Sequence, residues 1–225
     1  MTPGGGIAIS PDGKTIVFSG YTNTLRGVHL WRMPISGREP VQLTQSPEQD
    51  RFPTWCSEGN LIAFLRGGLT EGKQYFSNVF AVPAAGGEVR RITSEADAVS
   101  RAGIACSPDG RWIAHFAEDK TIRVKPMTGG TPRVVAKVDG VWGHCEIAWS
   151  PDGMKLAYSA AGKLWILSLD GGNPAEVETG LQGRITGLSW SPDGDKLAFH
   201  ATQGGEPELW LMEDFLPLVA AARAL

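Results

Sequence analysis

The sequence predicts an all-β protein, a β-propeller of four-stranded antiparallel blades. Three observations predict it. The tetrapeptide Ser-Pro-Asp-Gly occurs four times, beginning at Ser10, Ser107, Ser150 and Ser191, with a degenerate copy at Cys56-Ser57-Glu58-Gly59. The glycines that close these turns, Gly13, Gly59, Gly110, Gly153 and Gly194, are spaced by 46, 51, 43 and 41 residues. A four-stranded blade takes roughly 40–50 residues. Each copy is also flanked on both sides by a short apolar run of the kind that forms a buried strand.

The turn itself has a physical explanation. Proline fixes φ at the first central position of a type I turn, aspartate suits the second, and glycine takes the left-handed conformation that leads into the returning strand. Before the turn stand Ile7-Ala8-Ile9, Thr54-Trp55, Ile104-Ala105-Cys106, Ile147-Ala148-Trp149 and Leu188-Ser189-Trp190; these are the first strands. After it stand Ile16-Val17-Phe18, Ile62-Ala63-Phe64, Ile113-Ala114-His115, Leu156-Ala157-Tyr158 and Leu197-Ala198-Phe199, the second strands. Small residues alternate with bulky ones, as tightly stacked sheets require.

Third strands follow at Leu30–Met33, Val79–Val82, Ile122–Val124, Leu164–Leu167 and Leu209–Met212. Four of them run into a glycine turn at Ser36-Gly37, Gly86-Gly87, Gly129-Gly130 or Gly171-Gly172. A more polar fourth strand comes next, at Val41–Thr44, Val89–Thr93, Arg133–Val135 and Glu176–Glu178, as an outer edge should be. The segments from Ser19 to Val28 and from Leu65 to Asn78 read as long connections between second and third strands.

The last repeat has no fourth strand. The propeller domain therefore covers residues 1–214, and residues 215–225 form an Ala/Leu-rich tail. Five repeats suit a closed five-bladed ring or most of a six-bladed one. An open last blade exposes strand edges and apolar faces, which favours self-association into a homo-oligomer.

The hairpin, the following Leu-Ala-Phe-like strand, the aromatic third strand and the Gly-Gly turn resemble the TolB-like propeller repeat, from about Gly6 to Met212. The repeat is also similar to the propellers of prolyl-oligopeptidase and tricorn-type proteases, and to those of some bacterial sensors and regulators. This resemblance implies a non-catalytic scaffold that binds a protein or peptide partner. Its alternatives are the substrate-gating propeller of a peptidase and a sensory or structural part of a larger regulator. A fold of this kind hosts many functions, so the site must be argued from residues.

Composition narrows the choice. With 21 Lys and Arg against 24 Asp and Glu, the formal net charge is −3, which offers no electrostatic reason to expect nucleic acid. No apolar run approaches the roughly 20 residues of a membrane span, so membrane insertion is not expected. The N-terminus lacks a basic segment followed by an apolar core, so the chain as given reads as cytoplasmic. An upstream export signal would instead make it periplasmic. Cys56, Cys106 and Cys145 have no metal-ligand spacing and read as buried reduced thiols.

No nucleophile elbow, P-loop, His-Glu-x-x-His or Cys-x-x-Cys motif is present, so no catalytic residue, metal or cofactor is assigned. His115 occupies a slot filled elsewhere by Phe or Tyr and reads as a packed strand histidine. His144-Cys145-Glu146 groups three metal-capable side chains without a fourth ligand, and reads as a polar strand entry. Ahead of the first strands stand Arg51, Arg101, His144 and Arg184, one for each of four repeats. Gathered at one channel mouth they would attract an anionic peptide end or phosphate. The plainer reading has each one solvated or paired with a nearby carboxylate such as Asp50 or Glu146. Six tryptophans recur at repeat-equivalent positions, which marks packing between blades. Trp142 lies outside both series and is the candidate binding aromatic. The candidate ligand-contacting residues are therefore Arg51, Arg101, Trp142, His144, Glu146 and Arg184.

Overall fold

Alternating apolar runs separated by turn residues leave no length for helices, and the computed structural model is accordingly all β. It describes residues 3–21, 27–69, 75–94, 99–139, 145–181, 183–203 and 206–213. The chain is a five-bladed β-propeller of antiparallel sheets. Two compact units divide it, Met1–Ser100 with Asp109–Ile113 and Lys125–Pro132, and Arg101–Pro108 with Ala114–Val124 and Arg133–Leu225.

Blade 1 comprises β1 (Pro3–Ile9), β2 (Thr15–Tyr21), β3 (Val28–Pro34) and β4 (Val41–Gln42). Blade 2 comprises β5 (Gln49–Cys56), β6 (Leu61–Leu69), β7 (Tyr75–Pro83) and β8 (Arg90–Arg91). Blade 3 has β9 (Val99–Cys106), β10 (Trp112–Ala117), β11 (Thr121–Pro126) and β12 (Arg133–Lys137). Blade 4 has β13 (Ile147–Trp149), β14 (Lys155–Ala160), β15 (Lys163–Ser168) and β16 (Ala175–Val177). Blade 5 has β17 (Ile185–Trp190), β18 (Lys196–Gln203) and β19 (Glu206–Glu213), and no fourth strand among the described residues.

The Ser-Pro-Asp-Gly turns take the expected form. Gly13, Gly110, Gly153 and Gly194 have φ of 70°, 67°, 71° and 82°. The serine hydroxyl locks the turn: Ser10 Oγ donates to Asp12 Oδ1 at 2.6 Å and accepts the Thr15 N–H at 2.9 Å. Ser150 does the same with Asp152 and Lys155, and Ser191 with Asp193 and Lys196. The donated hydroxyl proton holds Asp12, Asp152 and Asp193 below the usual carboxylate range. In blade 2 neither proline nor aspartate is present, and Glu58 is forced to φ 53° ahead of Gly59.

In the first unit, Val17, Leu30, Ile62, Phe64 and Val82 form the core with Leu43, and Trp55 packs against it. Its indole N–H donates to the carbonyl of Ala8 in the preceding blade at 3.1 Å. The long connection expected from Leu65 to Asn78 is mostly strand, since β6 and β7 stay in register out to Leu69 opposite Tyr75. Fourth strands are secured by threonine: the Leu30 N–H donates to Thr44 Oγ1 at 3.0 Å and the Val79 N–H to Thr93 Oγ1 at 2.8 Å. Arg32 and Arg90 donate to carbonyls just past the third strand of the following blade, at Ala84 (2.8 Å) and Met127 (3.1 Å). Cys56, expected as a reduced thiol, is disulfide-bonded.

In the second unit, Phe116, Ile122, Ile147, Leu156 and Tyr158 form one core cluster, and Leu164, Ile166, Ile185, Leu197 and Phe199 another. The indole N–H groups of Trp149 and Trp190 donate to Ala105 (3.0 Å) and Ala148 (3.3 Å), repeating the Trp55 contact. His115 is fully buried in β10, with Nδ1 3.4 Å from the Phe116 carbonyl oxygen, as a packed strand residue should be. Cys106 is also disulfide-bonded, while Cys145 is a buried thiol.

Candidate functional site

Four residues before the serine slot of each blade stand Gly6, Phe52, Gly103, Glu146 and Gly187. Register shifts fall there in β1 (Pro3 to Ile7), β5 (Arg51 to Thr54) and β17 (Thr186 to Ser189). Gly6, Phe52 and Gly187 have φ of 123°, 53° and 65°, so the extra residue is left-handed, as in a glycine-type β-bulge. The positions also press on one another. A methyl group on Gly6 would lie 3.1 Å from Phe52 Cα, and one on Gly103 would lie 2.9 Å from Glu146 Oε2. Small residues are needed where neighbouring strands come this close. Phe52 and Glu146 are the two places where a large side chain stands instead.

Glu146 is held by its backbone. Its N–H donates to Ser159 Oγ and its carbonyl accepts the Ser159 N–H, each at 3.0 Å. The carboxyl lies over Gly103, with no hydrogen bond or ion pair to it among the described residues. Burial without a compensating cation pushes it up to about 7. It can therefore give or take a proton near neutrality, but one carboxyl is not a catalytic set.

The other expected residues are placed one by one. Arg51 is half-buried in β5 and its Nε donates to Gln49 Oε1 at 3.0 Å. The carboxylate expected to pair with it, Asp50, is instead fully buried and held by Arg66 through two bonds of 2.7 and 3.0 Å. The strand alternates faces, so adjacent Asp50 and Arg51 point apart. Arg66 also lies 5.0 Å from the Phe80 ring centre and 5.4 Å from that of Phe64, which makes this pair part of the blade's packing. Arg184 is exposed just ahead of β17. Arg101 belongs to β9, but its side chain lies outside the description, and Trp142 and His144 lie outside the described residues.

Sequence reasoning named Glu146 but missed its setting. The available signal was the column of glycines at equivalent positions, which a carboxylate interrupts.

Blades of this build, with Ser-Pro-Asp-Gly hairpins and indole-to-carbonyl links between neighbours, define a β-propeller. No protein-family model and no curated protein matches the chain. Solved structures do, and they include TolB-like propeller proteins. TolB from Acinetobacter baumannii is 15% identical with a TM-score of 0.71, over 89% of this chain and 50% of that one. Hydrazine synthase from Kuenenia stuttgartiensis is 17% identical with a TM-score of 0.75, over 95% of this chain and 37% of that one. A chain of a nidogen/laminin complex is 16% identical with a TM-score of 0.67, over 89% and 79%. This chain thus spans half or less of the first and second of these. At such identities the likeness establishes the fold alone. No helix among the described residues is long and apolar enough to cross a membrane.

Proposed function

We propose that this chain is a non-catalytic interaction scaffold that presents blade faces and strand entries to a protein or peptide. The observation that carries the reading is apolar exposure on the two terminal blades. Ile7 and Ile9 of β1 are 67% and 56% exposed, and Leu209 and Leu211 of β19 are 74% and 60% exposed. On each strand the two side chains stand two positions apart and share a face, and exposed apolar surface of this kind marks an interaction site. The nidogen/laminin neighbour adds support, because there a chain of similar fold belongs to a protein complex. Peptide-display selection against the folded chain tests the reading. A recurrent consensus that binds the folded chain and not the denatured one is expected; repeated selections without a consensus overturn it.

Arg51, Arg101, Trp142, His144, Glu146 and Arg184 are the proposed ligand contacts at the strand entries. Replacing Arg51, Arg101 and Arg184 together by alanine should weaken binding of an acidic peptide at least tenfold. Unchanged affinity removes the entries from the site. A second reading, a propeller segment within a larger catalytic protein, is supported by the hydrazine synthase neighbour, of which the match covers 37%.

The disulfide-bonded state of Cys56 and Cys106 favours an oxidising compartment such as the periplasm. One titratable thiol per denatured, unreduced chain is the expected result, and three would speak for the cytoplasm.

A further inference from the structure

Each blade has two unlike faces. The front carries the aromatic pair of the second and third strands, as in Phe64 opposite Phe80, Tyr158 opposite Trp165 and Phe199 opposite Trp210. The back carries small and branched residues, such as Ala8, Val17 and Leu30 in blade 1. Junctions between blades join one of each. In the first unit, Ile62, Phe64 and Val82 on the front of blade 2 pack on Val17 and Leu30. In the second, Leu156, Tyr158 and Leu167 on the front of blade 4 pack on Ala114, Ile122 and Val124 of blade 3. Leu197 and Phe199 on the front of blade 5 pack likewise on Ala157, Leu164 and Ile166 of blade 4. Large residues on one side against small and branched ones on the other let the layers interdigitate.

Two faces of the same build lack this cover. On the front of blade 1, Phe18 stands opposite Trp31 and Ile9 opposite Ile16. Yet Ile7 is 67% exposed where the equivalent Ile147 is buried, and Ile9 in the tryptophan slot is 56% exposed. On the back of blade 5, Ser189 and Leu211 both stand opposite Ala198. Here Leu209 is 74% exposed, although Leu30, Val79 and Leu164 are fully buried at that position. Leu211 is 60% exposed where Ala81 and Ile166 are buried.

We propose that a second copy of this chain covers these faces, the back of its blade 5 packing on the front of blade 1. The inference rests on the interaction-scaffold reading and names the occupant of its two apolar faces. In each junction described, what covers a blade front is a blade back, and blade 5 is where the chain leaves a back free. Front against front is a poor match, because Phe18 and Trp31 would meet large residues in place of small ones. Ile7, Ile9, Phe18 and Trp31 on one side, and Ser189, Ala198, Leu209 and Leu211 on the other, carry no charge, so the contact buries no ion at these positions. It is head to tail: unlike surfaces meet, each pair of copies keeps a free front and a free back, and longer species follow.

This junction has one bond fewer than those inside the chain. Trp55, Trp149 and Trp190 each donate an indole N–H to a carbonyl of the preceding blade. Ile9 holds the same slot and has no donor to offer the equivalent carbonyl, that of Ser189.

Sedimentation velocity of the intact chain over a concentration series tests the proposal. Species larger than a monomer should grow with concentration. The double variants Ile7→Asp/Ile9→Asp and Leu209→Asp/Leu211→Asp should each be monomeric. All four side chains are exposed, so both should keep the wild-type circular dichroism spectrum. Mixed in equal amounts, the two variants should form a dimer with one chain of each and nothing larger, since each keeps the face that the other has lost. Ile9→Trp should tighten self-association about fivefold, the worth of one hydrogen bond. Association of the wild type with a variant mixture that stays monomeric overturns the pairing of front with back. Association that survives in both double variants overturns the place. A wild-type chain that is monomeric throughout, with a display consensus, overturns this inference alone; a monomeric chain with no consensus overturns the scaffold reading as well.

Discussion

The indole N–H of Trp149 donates to the carbonyl of Ala105 at 3.0 Å, tying the first strand of blade 4 to the first strand of blade 3. Trp55 with Ala8 and Trp190 with Ala148 repeat it. The same slot holds Ile9 in blade 1 and Cys106 in blade 3. The tryptophans thus serve as packing and as donors to a neighbouring backbone.

Replacing Trp149 by phenylalanine keeps a ring in place but removes the donor. A net loss of about 1 kcal/mol is expected for one hydrogen bond. Urea denaturation should show a lower midpoint, with a smaller loss for the same change at Trp190, where the bond is 3.3 Å.

Glu146 predicts a pH dependence. Its carboxyl is raised from 4.5 to about 7 in the folded chain by burial, so the folded state binds more protons than the unfolded one between these values. Its favourable effect is fully present below about pH 4.5 and is lost as pH rises to about 7, at a cost of at most about 3 kcal/mol. Glu146→Gln should flatten this part of the stability profile and leave the variant more stable than wild type at pH 8. A wild-type profile that rises from pH 5 to pH 7, and does so equally in the variant, would contradict the assignment.

Ala161 joins β14 to β15 in a two-residue turn with Gly162, at φ of 53° and 75°. Both positions are left-handed, as in the tight hairpin turns that match strand twist. Ala161→Gly should raise stability by about 0.5–1 kcal/mol, since a methyl-bearing residue is strained there. Thermal melting measures it.

Gly183 has φ of 142°, and a methyl group on it would collide with the Thr202 carbonyl oxygen. Gly13 has φ of 70° with open space around the same position. Gly183→Ala should therefore cost more than Gly13→Ala, whose loss is about 1 kcal/mol from backbone strain alone. Comparable midpoints for the two would show that the Gly183 contact yields easily.

The repeat was legible because its signals are local. Proline, aspartate and glycine act within one turn, and φ of 67° to 82° at the four closing glycines follows from the tetrapeptide. The alternation around Phe18, Phe64, Tyr158 and Phe199 is local as well. Side-chain contacts between strands and between repeats are not. That Asp50 binds Arg66 rather than Arg51 depends on which strand face each occupies, and that Glu146 lies over Gly103 depends on how two repeats dock. The segment around Gly67 and Gly68 looked like a loop because glycine is rare in strands, yet it pairs in register with Phe76 and Ser77. Leu209 is exposed although the equivalent Leu30, Val79 and Leu164 are buried, and no residue in its own strand encodes that difference.

The bulge at the start of the first strands also bears on how such a chain can change over evolutionary time. Because one extra residue reverses which way every preceding side chain points, the few residues ahead of Gly6, Phe52 or Gly187 are uncoupled from the pattern behind them. Insertions and substitutions there can exchange the chemistry of a strand entry while the apolar sequence of the blade stays as it was. A lineage could try new ligands at Arg51 or Arg184 without renegotiating its core.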